Sequence, residues 1–408
     1  MRRIIQPLLV ALLVSIITLL PAQPPQESFR TGEKWFSLGE HHHALEALQQ
    51  AVDSIPDHPE AHFLMGRCYL EVKDFQQAHT CFSTVIRIKP EFSLAYYYRA
   101  QAYQQLNDQQ QAFDDLCHAI RIDSTHIPSY LRRAELFFND GQQQQAFEDY
   151  SRVIDMGHVN ANVFLMRGRL LAAQGEQEGA VADFTRAVDT DPDHGESRLE
   201  RGILLMQQGD FQQAADDFSV AIARGIHNQR IFRLRSEAFF LSQQYLDAVN
   251  DYTTLINTFG QRNQEDYLNR AMAYFHLKDM DAAIADFTYV VNLNKKHATA
   301  FYHRAMAYHT IGKPTLAMKD IDQAISLNPT LTEALQLRAD WLLKAGEFHA
   351  ALRDTDQLIT HKPSPTAYYF RAIVKDYLND PEGACHDLHR AADMGSPEAF
   401  SRIKDVCL

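Results

Sequence analysis

An arginine and an aspartate that recur together along the chain are the residues best able to do chemistry. In nine successive segments the arginine precedes the aspartate by the same interval, as Arg99 and Asp115 illustrate. A guanidinium and a carboxylate can bind a charged ligand, or they can neutralise each other as an ion pair. The nine pairs are Arg99 with Asp115, Arg133 with Asp149, Arg167 with Asp183, Arg201 with Asp217, Arg235 with Asp251, Arg270 with Asp286, Arg304 with Asp320, Arg338 with Asp354, and Arg371 with Asp387.

The helical positions of these two charges favour a structural role. Arg99 shares a helical stripe with Ala100 and Tyr103, and Asp115 shares one with Leu116. Both side chains therefore point toward an interface between two helices, where an unpaired charge would be costly. The two segments that lack the arginine also lack the aspartate, which indicates that the partners belong to one segment. We predict buried structural ion pairs, and an arginine-lined groove for anions is the alternative.

Five cysteines offer a second kind of chemistry. Cys385 and Cys407 fall on consecutive helices near the end of the chain, where a disulfide between them would close a short loop. Cys68 and Cys81 form a second candidate pair, which would leave Cys117 over. The alternative is that all five are buried small hydrophobic residues.

Three adjacent histidines, His41 to His43, lie in the polar turn of the first segment. Two metal ligands on one helical face normally lie four residues apart, so we interpret this run as solvated. The sequence contains no glycine-rich phosphate loop, no HExxH or GxSxG motif and no zinc-type cysteine pairs. The repeated segments leave no residues for a catalytic domain. We therefore predict a protein that is not an enzyme and has no cofactor and no metal site.

The elements that position these residues repeat about every 34 residues. An alanine opens the second helix of each segment, a large residue follows four positions later in most segments, and a small or aliphatic one three positions after that. These offsets form one helical stripe. The alanines are Ala44, Ala78, Ala112, Ala146, Ala180, Ala214, Ala248, Ala283, Ala317, Ala351 and Ala384.

The first helix of each segment has a pattern of its own. A small residue is followed three positions later, in most segments, by a bulky one such as Tyr69, and small residues let helix axes approach closely. The small residues are Gly32, Gly66, Ala100, Ala134, Gly168, Gly202, Ser236, Ala271, Ala305, Ala339 and Ala372. Several second helices are followed at once by a proline such as Pro90, which stops helix propagation.

This pattern of two helices and a turn resembles the tetratricopeptide repeat, because the period, small residue, aromatic residue, alanine and terminal proline recur together. The resemblance implies an all-α, right-handed α-solenoid of about eleven repeats that occupies residues 23–395. Residues 396–408 then form a C-terminal capping helix, which covers the last apolar face. The final stretch also resembles the ending of secreted repeat proteins from Bacteroidetes-type bacteria.

Residues 1–22 stand outside the repeats. Two arginines precede an apolar run that ends in Leu-Pro-Ala, which predicts a secretory signal peptide cleaved after Ala22. An uncleaved anchor is the alternative. We expect a secreted or periplasmic protein without stable membrane insertion after cleavage. With 39 basic and 52 acidic residues, the chain is expected to repel nucleic acid and anionic lipid.

The family resemblance implies a binding surface on the concave side, formed by first helices. Its mixture of aromatic, methionine and charged residues suits a protein or peptide partner. The expected residues are Tyr97, Tyr98, Gln101, Arg132, Glu135, Phe138, Arg169, Ile203, Glu237, Phe240, Met272, Phe275, His303, Met306 and His309. The alternatives are that many of them only pack against neighbouring repeats, that the protein is a structural subunit assembling through its ends or convex face, or that the groove binds a small ligand or glycan. The sequence leaves the partner and the oligomeric state open.

Overall fold

Successive helical hairpins make up the described part of the chain, as predicted. The computed structural model describes residues 25–259 and 263–407, and within these ranges the regular elements are all α-helices. The predicted signal peptide at residues 1–22 lies outside the described residues. The first ten helices are α1 Pro25–Ser37, α2 His41–Ser54, α3 Pro59–Glu71, α4 Phe75–Ile88, α5 Ser93–Gln105, α6 Gln109–Ile122, α7 Ile127–Asn139, α8 Gln143–Asp155, α9 Ala161–Ala173 and α10 Gln177–Thr190.

The chain divides into two compact bodies. Among the described residues, the N-terminal body extends to Pro192 and contains α1 to α10, and the C-terminal body begins at Asp193 and contains the remaining helices. These are α11 Gly195–Gln208, α12 Phe211–Ala223, α13 Gln229–Leu241, α14 Tyr245–Thr258, α15 Gln264–His276, α16 Met280–Leu293, α17 Ala298–Thr310, α18 Pro314–Leu327, α19 Thr332–Lys344, α20 Phe348–His361, α21 Pro365–Tyr377, α22 Pro381–Asp393 and α23 Pro397–Val406.

Where the small residue of a first helix is a glycine, it faces the large residue of the second helix. A Cβ atom added to Gly202 on α11 would lie 2.7 Å from the Phe218 ring on α12, and one added to Gly66 would lie 2.6 Å from the Phe82 ring. Both phenylalanines are completely buried. The close approach of the two helices therefore depends on the missing side chain, which agrees with the small-residue pattern in the sequence.

Each hairpin turn contains one residue in the left-handed region of φ, such as Gly209 with a φ of 88°. Glycine adopts this conformation without steric cost, whereas Gln243 occupies the same place with a φ of 65°. The turn residues are Gly39, Lys73, Asn107, Gly141, Gly175, Gly209, Gln243, Lys278, Gly312, Gly346 and Asn379. The turn geometry is therefore shared by hairpins whose turn sequences differ.

The last helix, α23, closes the C-terminal body, as expected of a capping helix. Ser396 caps its first turn by accepting a hydrogen bond from the backbone N–H of Ala399. Ala399 packs against Leu388 and Ala391 of α22. Within the described residues, no helix combines the length and apolar character that would be needed to cross a lipid bilayer.

Candidate partner-binding surface

The fifteen side chains predicted to face a partner all lie on first helices of hairpins, and none is fully buried. Glu135, Glu237 and His309 are exposed, and the others are half-buried. The half-buried residues are Tyr97, Tyr98, Gln101, Arg132, Phe138, Arg169, Ile203, Phe240, Met272, Phe275, His303 and Met306. Seven of the fifteen belong to the N-terminal body and eight to the C-terminal body.

A cation held between two aromatic rings marks this surface in the N-terminal body. The guanidinium carbon of Arg67 lies 4.6 Å from the centre of the Phe36 ring and 5.2 Å from that of Tyr98. The three residues come from α1, α3 and α5, so this arrangement, the Arg67 sandwich, joins three successive hairpins. Within the described ranges the guanidinium has no hydrogen bond or ion pair. The rings hold the group in place, while its N–H donors stay available to an acceptor.

A second arginine continues the same surface. Arg132 on α7 donates from Nη1 to Gln104 Oε1 at 2.9 Å, and its guanidinium lies 5.9 Å from the centre of the Tyr97 ring. Tyr97 in turn contacts Tyr98 edge to face, with the ring centres 5.1 Å apart. The structure therefore brings together three of the predicted residues, Tyr97, Tyr98 and Arg132.

A cavity of about 360 Å³ lies beside the Arg67 sandwich. Phe63, on the same helix as Arg67, lines the cavity and contacts Tyr98 with ring centres 5.5 Å apart. The lining is mostly apolar, and its one ion pair joins Lys89 to Glu60. The lining residues are Phe29, Glu33, Pro59, Glu60, Phe63, Leu64, Lys89 and Phe92.

Sequence reasoning did not include this cavity or Arg67 in the predicted set. The available signal was the spacing of Phe63, Leu64 and Arg67, which lie 34 residues before Tyr97, Tyr98 and Gln101. The same helical positions in successive repeats contribute to one surface, so the set predicted for the third repeat also identifies its counterparts in the second.

Aromatic and histidine side chains contact one another beside the predicted residues of the C-terminal body. The His276 ring stacks on Tyr245 with centres 4.6 Å apart, and it contacts Phe240 edge to face at 5.5 Å. Met272 and Phe275 of α15 also pack against the core that surrounds Phe287. These two residues are therefore partly structural, although this core belongs to their own repeat and not to a neighbouring one.

Two predicted histidines occupy different environments. His303 is half-buried, and its ring lies 5.9 Å from that of Phe287. Burial, together with the nearby His276 and His297, lowers the pKa of His303 from 6.5 to about 4. His309 is exposed and stacks on Trp341 with ring centres 4.4 Å apart.

An ion pair between neighbouring first helices was not predicted. Asp266 on α15 is only 1% exposed, and Arg233 on α13 donates to it at 3.1 Å. The Arg233 side chain is 41% exposed, so one partner is buried while the other reaches solvent. No pattern in the sequence indicated this pair, because neither residue recurs at the same place in other repeats.

The nine arginine and aspartate pairs join the two helices of their hairpins. In each pair, the arginine Nε and Nη2 groups donate to the two carboxylate oxygens at 2.6 to 2.9 Å. All nine aspartates are buried. Burial would raise the pKa of Asp387, but hydrogen bonds from Arg371 and Lys375 bring this pKa below its ordinary value. The carboxylate therefore stays charged in the interior.

The remaining Nη1 group connects most of these arginines to the preceding hairpin. Arg99 donates to Ser83 at 3.1 Å, Arg304 donates to Thr288 at 3.1 Å, and Arg338 forms an ion pair with Asp322 at 2.7 Å. The sequence predicted only the pairing within a repeat. The structure adds a contact between repeats, whose acceptor is a hydroxyl, a thiol or a carboxylate.

One disulfide is present within the described residues. Cys385 on α22 bonds Cys407, which follows α23, and their Cα atoms lie 5.2 Å apart. The second candidate pair, Cys68 and Cys81, does not form, and both residues are buried free thiols, while Cys117 is free and half-buried. Burial raises the pKa of Cys68 to about 11 and that of Cys81 to about 12. These two thiols therefore stay protonated and unreactive at neutral pH.

The prediction that the three histidines of the first repeat lie in the turn is wrong. The turn ends at Glu40, and the three histidines form the first turn of helix α2. His41 contacts Phe36 with ring centres 5.8 Å apart, and His43 contacts Trp35 at 5.1 Å. They belong to no cluster with metal-binding geometry among the described residues.

Several solved structures are similar to this chain. The structure of MamA shares 19% identity and a TM-score of 0.39, and the match covers 41% of this chain and 92% of that one. The structure of yeast Tom70 shares 15% identity and a TM-score of 0.40, and the match covers 94% of this chain and 95% of that one. The structure of pilF from Pseudomonas aeruginosa shares 16% identity and a TM-score of 0.43, and the match covers 50% of this chain and 92% of that one. No curated protein sequence matches the chain.

Sequence models described as tetratricopeptide repeat match five stretches of the chain. The matched stretches are residues 36–102, 94–126, 165–229, 267–297 and 298–331. Together they cover more than half of the 408 residues. The hairpins that the structure describes continue beyond the matched stretches with the same small-residue contacts, turns and ion pairs. The chain therefore belongs to the tetratricopeptide repeat family.

Proposed function

We propose that this protein is a non-catalytic scaffold that binds a protein or peptide through its first-helix surface. Tetratricopeptide repeat proteins generally mediate protein–protein interactions, and their fold typically serves as a scaffold without catalysis. The observation that carries the proposal is the Arg67 sandwich. Its guanidinium is held by Phe36 and Tyr98 and has no partner within the described ranges. A stacked arginine beside an apolar cavity has the composition of an interface hot spot.

The sandwich and the cavity complement each other chemically. A partner segment can place a polar acceptor on the Arg67 donors and an apolar side chain against Phe63 and Phe92. The Phe63 and Phe92 rings contact each other with centres 5.0 Å apart, so this apolar wall of the cavity is already assembled before binding. An assembled site loses less conformational entropy on binding than one that must be ordered.

Arg67→Ala tests the proposal with little risk to folding, because the guanidinium makes no ion pair with a described residue. The variant and the native protein are used as baits in extracts of the native cell envelope. The proposal expects a protein that the native bait retains and the variant loses. Arg87→Ala is the matched control, because Arg87 is exposed and its ion pair is with the equally exposed Asp57 at 2.6 Å. Equal capture by the Arg67 variant and the native bait would contradict binding at this surface.

We also propose a location in the cell envelope, either periplasmic or secreted. The support is the predicted signal peptide at residues 1–22. Mass spectrometry of the protein isolated from its native cells tests this, and a mature chain that begins at Gln23 is the expected result. A chain that keeps its first 22 residues would favour the uncleaved anchor instead.

The alternative of a structural subunit has one supporting observation. Phe400 on α23 is 60% exposed on the outer side of the capping helix. Sedimentation of the native protein and of Phe400→Ala measures their oligomeric states and so distinguishes a structural subunit from a partner-binding scaffold. Assembly that is lost in the Phe400 variant but kept in Arg67→Ala would favour a structural subunit.

A further inference from the structure

The disulfide at the C-terminal cap is part of a larger group of side chains. His389 lies one helical turn after Cys385 on α22, and Cys407 approaches from the end of α23. The two sulfur atoms and one imidazole nitrogen all lie within 4.8 Å of one another. His389 is exposed, and both cysteines are half-buried, so solvent reaches the group.

We propose that Cys385, His389 and Cys407 form a binding site for a thiophilic metal ion of the zinc type, and that reduction of the disulfide opens it. Zinc binds thiolate sulfur at about 2.3 Å and imidazole nitrogen at about 2.0 Å. A tetrahedral arrangement with these bond lengths separates neighbouring ligand atoms by about 3.5 to 3.8 Å. The group needs only side-chain rotations to reach this spacing, because its three donor atoms already lie within 4.8 Å.

The oxidised and reduced states differ in the number of ligands that they offer. In the disulfide, both sulfur atoms are used in a covalent bond, and only the imidazole remains. A dithiol reductant transfers two electrons and two protons to the bond, which yields two thiols, while the reductant becomes a cyclic disulfide. Binding of a divalent ion then releases the two thiol protons to solvent and leaves two thiolates and one neutral imidazole as ligands.

The surroundings leave the fourth coordination position to solvent. Two carboxylates lie two residues from a member of the group in the sequence. Asp387 is buried and already paired with Arg371 and Lys375 at 2.7 Å each, and Asp405 is not among the donor atoms that lie within 4.8 Å of one another. Three protein ligands with an open position distinguish this site from closed structural zinc sites with four protein ligands. The metal ion would join α22 to the end of α23 at the place where the disulfide joins them, so the cap would be cross-linked in both redox states.

The test measures zinc binding to the purified protein before and after reduction by a phosphine, which becomes a phosphine oxide. The reduced protein should bind one more zinc ion per chain than the Cys385→Ser/Cys407→Ser double variant, and the oxidised protein should bind no more than that variant. This comparison removes any zinc held elsewhere, for example by His41 to His43. Cobalt in place of zinc should produce thiolate-to-metal absorption only in the reduced native protein.

His389→Ala distinguishes the proposed site from two cysteines acting alone. Loss of one of three ligands should weaken zinc binding at least about tenfold, because even the outer-shell partners of metal ligands contribute that much to metal affinity. His386→Ala is the matched control, because His386 is an exposed histidine on the same helix outside the group. Equal zinc binding by the reduced native protein and the double serine variant would overturn the proposal. So would unchanged affinity in the His389 variant.

Discussion

Arg235 donates a hydrogen bond from Nη1 to Ser219 Oγ at 3.2 Å, although the two residues belong to different helical hairpins. The same guanidinium donates from Nε and Nη2 to Asp251 of its own hairpin, each at 2.7 Å. One side chain therefore holds together the two helices of its hairpin and also contacts the preceding hairpin. Because a planar guanidinium has donors on two edges, arginine can fill both roles, whereas lysine cannot present the same fork.

Asp217→Ala should destabilise the protein by about 3 kcal/mol, because it removes a buried carboxylate that pairs with two arginines. Asp217 is 1% exposed and accepts hydrogen bonds from both Arg201 and Arg198. Chemical denaturation followed by circular dichroism measures the change. The adjacent Asp216 is exposed, so Asp216→Ala is the control and should cost less than about 1 kcal/mol. Equal effects of the two substitutions would contradict the buried ion pair.

Gly202→Ala should destabilise the protein by about 1 to 3 kcal/mol, although alanine favours helices, because the new Cβ would overlap the Phe218 ring. Adding Phe218→Leu should recover part of the loss, because the third repeat already combines Ala100 with Leu116. The two substitutions should therefore show a favourable coupling in a double-mutant cycle.

The control for this substitution is Gly179→Ala on α10. A Cβ atom there meets its nearest neighbour, a Leu171 methyl group, at 3.4 Å. This change should be neutral or stabilising by up to about 1 kcal/mol. Destabilisation of both glycine variants to the same extent would show that the Phe218 contact is not the cause.

His303 should make stability fall as the pH decreases from 6.5 to about 4. The folded protein keeps His303 neutral down to a pKa of about 4, whereas the unfolded chain binds a proton near pH 6.5. The protein is most stable above pH 6.5, and the loss of stability reaches about 3 kcal/mol below pH 4, where both states are protonated. Denaturation at pH 7 and pH 5 should show a smaller difference for His303→Gln than for the native protein. The exposed His227 provides the control, and His227→Gln should keep the native difference.

The denatured but unreduced protein should expose three titratable thiols, which are Cys68, Cys81 and Cys117, and reduction should raise the number to five. The disulfide closes a loop of 22 residues. By the loop-entropy account this contributes about 3 kcal/mol to local stability. Hydrogen exchange at Ala399 and Ile403 should therefore accelerate after reduction in the absence of metal, while exchange in α1 stays unchanged. Five thiols before reduction would contradict the bond.

The hairpin architecture could be predicted from the sequence, because it depends on interactions between residues close in the chain. The stripe that contains Ala112 and Leu116 specifies a helix face, and the small residue Ala100 specifies its partner. The spacing of Arg99 and Asp115 placed two charges at one level of an antiparallel hairpin. Each of these relationships is complete within one repeat.

Contacts between repeats could not be predicted in the same way. The acceptor for the arginine Nη1 group varies among serine, threonine, cysteine and aspartate, so no single residue type reveals it. The Arg67 sandwich combines side chains from three repeats, and its geometry depends on how consecutive hairpins stack. The sequence did not indicate a metal site at His389 either, because the third member of the group, Cys407, reaches it only through the packing of another helix.

The arginine contact to the preceding hairpin also bears on how such an array can evolve. Nine hairpins carry their own arginine and aspartate pair as well as their own turn, and Nη1 donates to partners as different as a serine, a threonine and an aspartate. A duplicated hairpin can therefore join its new neighbour without a matching substitution there, provided that a short polar residue stands at the acceptor position. Gene duplication can lengthen the array while point substitutions alter Tyr97, Tyr98 and their counterparts separately in each copy.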